Sequence, residues 1–274
     1  MVGMPTAGGH DGLYGPGDVT WRVNRETVLL AGGGRALLLQ VAHPLVAAGV
    51  AEHSDYREDP WRRLYRTLDV TTRIVFGDGE TSREAARGLR AVHARVRGVA
   101  GDGTPYDARD PELLLWVWAT LVDTSLEVYT RYVRPLSPDE RRRYCLEQRR
   151  FGEAVGIPAG RFPADDAELR GYVQRMVERE LRVTEVGRDV ARSTLRPPLP
   201  GPLGPAARPV GELLGLLTVG LLPERLRRDY GLAWDPARAA LLRASTATVR
   251  RLLPLLPGLL REFPAARAAS RRAA

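Results

Sequence analysis

Four histidines, His10, His43, His53 and His93, are the only imidazoles in the chain. None follows a glutamate at the three-residue spacing used by di-iron helical bundles. No His-Glu-x-x-His zinc helix and no Gly-x-Ser-x-Gly nucleophile elbow occurs either. His93 stands out by its setting, LRAVHARVRG. Ala85, Ala86, Leu89, Val92, His93 and Val96 recur at three- and four-residue spacing, which puts an imidazole on the apolar face of a helix. It is either a hydrogen-bonded core residue or a ligand to something that fits an apolar pocket.

Other residues give the second reading its chemistry. In RRLYRTLDVTT, Arg63 and Thr67 are one helical turn apart and reach the same side. Arg97 lies one turn beyond His93. An imidazole on an apolar face, two arginines and a hydroxyl suit haem, which needs an axial nitrogen and partners for two carboxylates. The plainer reading makes Arg63 and Arg97 solvated surface arginines and lets Thr67 bond back to its own helix. Spacing leaves both open.

Composition removes several alternatives. All 41 basic residues are arginine, so Schiff-base lysines, lysine bases and phosphate-loop lysines are excluded. The formal charge of +8 raises nucleic acid or an anionic membrane as partners. Acids and arginines are interleaved, however, and no nucleic-acid-binding motif occurs, so no nucleic-acid partner is expected. Cys145 is the single cysteine, which rules out an internal disulfide and a cysteine-based zinc site; it reads as a small packed hydrophobe. The N-terminal residues lack the order of a secretory signal. The most apolar run, about 213–222, is too short to span a bilayer. A soluble cytoplasmic protein is expected.

Those residues require helices to position them, and the punctuation supplies helices throughout. A glycine-rich, flexible segment over 1–17 precedes a helical domain over 18–262, and 263–274 form a basic tail. Asp18, Asp59-Pro60, Asp110-Pro111 and Ser137-Pro138 are helix starts. Helices are expected over about 35–50, 60–76, 81–97, 111–133, 138–155, 164–193, 210–222 and 236–253. Gly32-Gly33-Gly34 reads as a helix break allowing close packing. RPPLPGPLGPAARP is a linker no helix crosses. No strand pattern and no internal repeat is present. The fold expected is all-α, a single large helical domain. The C-terminal helices, apolar with flanking arginines, are either attracted to membranes or are core helices with a solvated basic edge.

Six segments in order carry a resemblance: LLLQVAHPLVAAGVAEHS, DPWRRLYRT, VFGDG, VHARVRG, YDARDPELLLWVWATLVDTSLEVY and GIPAGRFP, with LLPERLRRDYGLAW following. Together the chain resembles the latex clearing proteins (rubber oxygenases) and the MpaB-type oxygenases. The resemblance implies a helical fold enclosing a pocket for haem b, and oxygenase chemistry with dioxygen on a lipophilic, isoprenoid-like alkene. It implies His93 as the proximal iron ligand. It also implies Arg63 and Thr67 beside the haem, and Arg97 as a propionate partner. Arg63, Thr67 and Arg66 are the catalytic candidates. Three departures matter. Arg66 stands where latex enzymes have a distal lysine, and arginine is a poor metal ligand. The distal glutamate base falls near Ala47, with Glu52 the nearest substitute. Trp118 replaces a frequent histidine and is a candidate pocket wall, while His43 and His53 are candidates for distal or supporting roles. The alternative is a non-enzymatic helical protein that binds haem or a lipophilic ligand.

Overall fold

A computed structural model describes residues 11–54, 56, 59–195 and 208–273. Its α-helices run in order α1 (Val19–Asn24), α2 (Gly33–Val41), α3 (Pro44–His53), α4 (Pro60–Phe76) and α5 (Gly79–His93). A hairpin of β1 (Arg97–Val99) and β2 (Pro105–Asp107) follows, antiparallel with Gly98 opposite Tyr106. Then come α6 (Pro111–Tyr132), α7 (Pro138–Val155), α8 (Asp166–Arg175), α9 (Glu185–Leu195) and α10 (Arg208–Leu221). α11 (Glu224–Asp229), α12 (Pro236–Leu252), α13 (Gly258–Arg261) and α14 (Pro264–Ala273) complete the chain. The fold is all-α.

The expected starts hold where a side chain can reach a free backbone N–H. Asp59 accepts from Arg62 N at 2.8 Å, and Asp110 accepts from Glu112 N at 2.8 Å. Ser137 and Glu140 close a reciprocal capping box. Asp18 behaves differently: its carboxylate accepts from Gly15 N and pairs with Arg150, and it caps nothing in α1.

α6 is the axle. Its buried residues occur on all sides, Trp116, Ala119, Val122, Leu126 and Tyr129 among them, as in a helix surrounded by others. α1, α2, α7, α8 and α12 pack around it. The triglycine works as a close-packing break. A Cβ on Gly32 would sit 2.5 Å from Thr124 Cγ2, and one on Gly34 2.2 Å from Thr218 Oγ1. Tyr14 is fully buried and exchanges hydrogen bonds with α7, which pins the described end of the glycine-rich segment to the core.

Three helix expectations need correction. The helix expected over 35–50 is two, because Pro44 drives His43 out of the helical region to φ −81°, ψ 122°; residues 27–41 and 44–53 meet at 110°. The helix expected over 81–97 stops at His93. Beyond it Val96, Gly98 and Val99 are weak helix formers, and the chain turns back through Gly103, at φ 88°, into the hairpin. The helix expected over 164–193 breaks after a π turn at Met176–Glu180. There Leu181 is fully buried and Arg182 N bonds to Ala42 O, so tertiary packing overrides propensity. Residues 264–273, read as a basic tail, form α14, whose Ala266 and Ala269 are fully buried. His10 and most of the proline-rich linker lie outside the described residues. Among the described residues no single helix is long and apolar enough to cross a membrane, although the bent pair 27–41 and 44–53 passes by length and composition.

Candidate functional site

α4 carries the cationic half of the site. Arg63, Arg66 and Thr67, at one-turn spacing, line a pocket of ≈ 230 Å³ with His53 and Ser54 from the end of α3. Arg63 is partly buried, and burial lowers the pKa of its guanidinium. Neither the guanidinium of Arg63 nor that of the exposed Arg66 has a hydrogen bond or ion pair among the described residues. Unanswered positive charge in a partly dry pocket favours an anion. Thr67 Oγ1 donates to Arg63 O at 3.0 Å, the back-bond that the plainer sequence reading anticipates. Its lone pairs remain available as acceptors.

α5 packs against α4 and carries His93 as its last residue. The buried stripe Ser82, Ala85 and Ala86 runs through half-buried Leu89 to His93 on the same face. His93 Nδ1 is buried with no hydrogen-bond partner, so the hydrogen-bonded core reading does not account for that nitrogen. Burial lowers its pKa, which keeps the imidazole neutral and able to donate a lone pair to a metal. His93 is not among the residues lining the α4 pocket.

Arg97 goes elsewhere. It lies exposed on β1, opposite Asp107 across the hairpin. The Asp107 carboxyl is held down at about 2, chiefly by hydrogen bonds from Arg109, with Arg97 adding a smaller attraction. The helical spacing that put Arg97 one turn past His93 ends with α5.

α4 leaves room beside these groups. None of residues 61–73 is buried, although the helix is strongly amphipathic and Leu64 and Leu68 share one face. Ile74, Val75 and Phe76 are buried in the core, and half-buried Val70 packs against it.

A second polar group adjoins the pocket and is not legible in the sequence. The Tyr106 hydroxyl donates to the Glu52 carboxylate, and the Tyr106 ring meets the His53 ring edge-on at 6.3 Å. A Cβ on Gly98 would come within 2.7 Å of both Glu52 Oε2 and Tyr106 Oη, so a larger residue there would displace the pair. Ala47, the position of the family glutamate, is fully buried against Val41, Tyr56 and Val190.

The remaining candidates lie outside the arginine pocket. Trp118 is buried, donates Nε1–H to Gln148 O at 3.0 Å and meets Phe162 edge-on at 5.0 Å. His43 has a buried, unpartnered Nδ1 at the α2–α3 bend. Cys145 is buried, and its thiol is pushed up to about 12, which suits packing rather than nucleophilic attack. No cluster of three or more His, Cys, Asp or Glu that could hold a bare metal ion occurs among the described residues.

Residues 21–251 match the catalytic domain of the ER-bound oxygenase mpaB/B′ and rubber oxygenase family. The chain belongs to that family. Its coarse activity class is therefore oxygenase, and the matched region holds every candidate from His43 to Trp118. Two curated relatives, uncharacterized proteins of Mycobacterium bovis and of Mycobacterium tuberculosis, are each 27% identical over 210 residues. That alignment covers 74% of this chain and 80% of each relative. No solved structure matches the chain. In this oxygenase domain α13 and α14 lie beyond the matched residues.

Proposed function

We propose that the protein is a haem b-dependent oxygenase of a lipophilic, isoprenoid-like alkene, with His93 as the iron ligand. The observation that carries this reading is the buried nitrogen of His93, on a helix packed against one that bears two guanidinium groups, all three without a partner among the described residues. An iron that finds no cluster of protein ligands is well served by a macrocycle and one imidazole. A pocket of ≈ 230 Å³ is small for a whole ligand but ample for a carboxylate arm. The half-buried Leu64–Leu68 face beside it offers apolar surface that a flat ring would cover.

In this reading His93 holds the iron, neutral because it is dry. Arg63 pairs with a haem carboxylate, and the Thr67 oxygen accepts a hydrogen bond in the same pocket. Bound haem supplies dioxygen activation and oxidation of an electron-rich double bond. Arg66 stays protonated, so it would not ligate an iron and would offer positive charge to a developing anion. Glu52, held by Tyr106, precedes the lining residue His53 in the chain and would stand in for the absent base at position 47.

The test is an absorption spectrum of protein expressed with ample haem, beside His93→Ala and Trp118→Phe. A Soret band that disappears or shifts in His93→Ala alone, with the helical signal unchanged, is expected. A parent that takes up no haem would leave the family fold without this cofactor and favour a lipophilic-ligand binding role.

A further inference from the structure

The segment LLPLLPGLL, residues 252–260, ends α12 and forms α13, outside the family-matched domain. Its leucines face solvent: Leu255 is 77% exposed, Leu259 70%, Leu260 60% and Leu252 54%. Leu241, on α12, is 57% exposed.

This is not a loose end. Leu253 is buried beneath the loop, and Thr27 Oγ1 donates to Leu260 O at 2.9 Å. Arg267 donates to the carbonyls of Gly258, Leu259 and Glu262, which satisfies the end of α13. Arg261 forms a two-pronged pair with the buried Glu26, both contacts 2.9 Å. The backbone is fixed from below while the side chains point outward, an arrangement the core does not require. Scattered exposed leucines are ordinary, but a pinned cluster of this kind marks an interaction surface.

Charge says what covers it. From residue 236 onward the chain has eight arginines and one glutamate, of which Arg238 pairs with Asp235 and Arg261 with Glu26. Arg243, Arg250 and Arg251 are exposed, and their side chains have no hydrogen bond or ion pair among the described residues. Leucines able to enter hydrocarbon, directly preceded in the chain by exposed Arg250 and Arg251, match an anionic lipid surface. Nucleic acid would use the arginines and leave the leucines wet.

We infer that residues 252–260, with Arg243, Arg250 and Arg251, dock the protein peripherally on anionic membrane. This stands independently of the haem reading. The docked state brings the domain to the phase in which water-insoluble substrates reside.

The experiment is flotation of the full chain with vesicles of phosphatidylcholine alone or containing phosphatidylglycerol, at low and high salt. Sedimentation velocity without lipid runs in parallel. Binding to the anionic vesicles, weakened by salt, is expected. Leu255→Ser/Leu259→Ser should weaken it roughly tenfold or more per leucine withdrawn, with an unchanged melting temperature. Arg250→Ser/Arg251→Ser should weaken binding to the anionic vesicles roughly thirtyfold and leave binding to phosphatidylcholine alone unchanged. Failure of the parent to float with either vesicle overturns the inference, as does undiminished binding by the leucine variant. So does a parent dimer that the leucine variant converts to monomer, since the patch would then be covered by a second copy.

Discussion

The Tyr106 hydroxyl of β2 donates its proton to the Glu52 carboxylate on α3, tying the hairpin to the rim of the arginine pocket. Burial first, and then that bond, raises the Tyr106 pKa to about 12 from 10.0. A folded-state pKa above the unfolded one contributes stability that is complete below pH 10.0 and is lost as pH rises through about 12. Tyr106→Phe should cost about 1 kcal/mol at neutral pH. It should also flatten the alkaline fall in melting temperature. Thermal melts across that range check both; an unchanged alkaline slope would mean the tyrosine is not the titrating group.

Arg63 holds a partly buried positive charge with no partner anion among the described residues. Arg63→Met should therefore stabilise the cofactor-free chain by a few tenths to about 1 kcal/mol. On the proposed function the same change weakens haem retention about tenfold, through the lost pairing with a carboxylate. Urea titration of the apo chain and haem titration of the same variant measure the two effects, and opposite signs are expected.

His43 makes acid lability a local question. Burial lowers its pKa from 6.5, with Asp110 and Glu180 partly opposing the shift. A depressed histidine contributes stability that is present above 6.5 and lost as pH falls through the folded-state value. His43→Gln should lose less melting temperature than the parent between about pH 7.5 and about pH 5. Equal losses would assign the acid sensitivity to other groups.

The triglycine offers a paired test. A Cβ on Gly34 collides with Thr218, whereas nothing lies within 4 Å of one on Gly33. Gly34→Ala should destabilise by about 1–3 kcal/mol. Gly33→Ala, in the first turn of α2 with helical φ and ψ, should be neutral or stabilise by up to about 1 kcal/mol. Denaturation midpoints of the two single variants decide it.

Arg35 clasps three helices. It is buried, donates from Nε to Leu221 O at 2.8 Å and pairs with Asp123 at 2.6 Å. Arg35→Ala leaves Asp123 without its partner and should cost roughly 3–5 kcal/mol. Arg188→Ala, whose Glu185 partner is largely exposed, should cost under about 1 kcal/mol. Urea denaturation of both gives the contrast.

The sequence by itself determined the helices whose ends are marked by local chemistry. Asp59-Pro60, Asp110-Pro111 and Ser137-Pro138 act within one turn of chain, so their spacing is readable without a fold. The one-turn spacing of Arg63, Arg66 and Thr67 was legible for the same reason, and the structure sets all three around one pocket. Only the tertiary structure decided that His93 ends its helix, that Arg97 turns away to Asp107 and that the long helix after residue 164 breaks over Ala42. It alone joined Glu52 to Tyr106 and left Leu255 and Leu259 in water. These outcomes depend on groups distant in sequence competing for burial and hydrogen bonds, and a local pattern carries no record of which competitor wins.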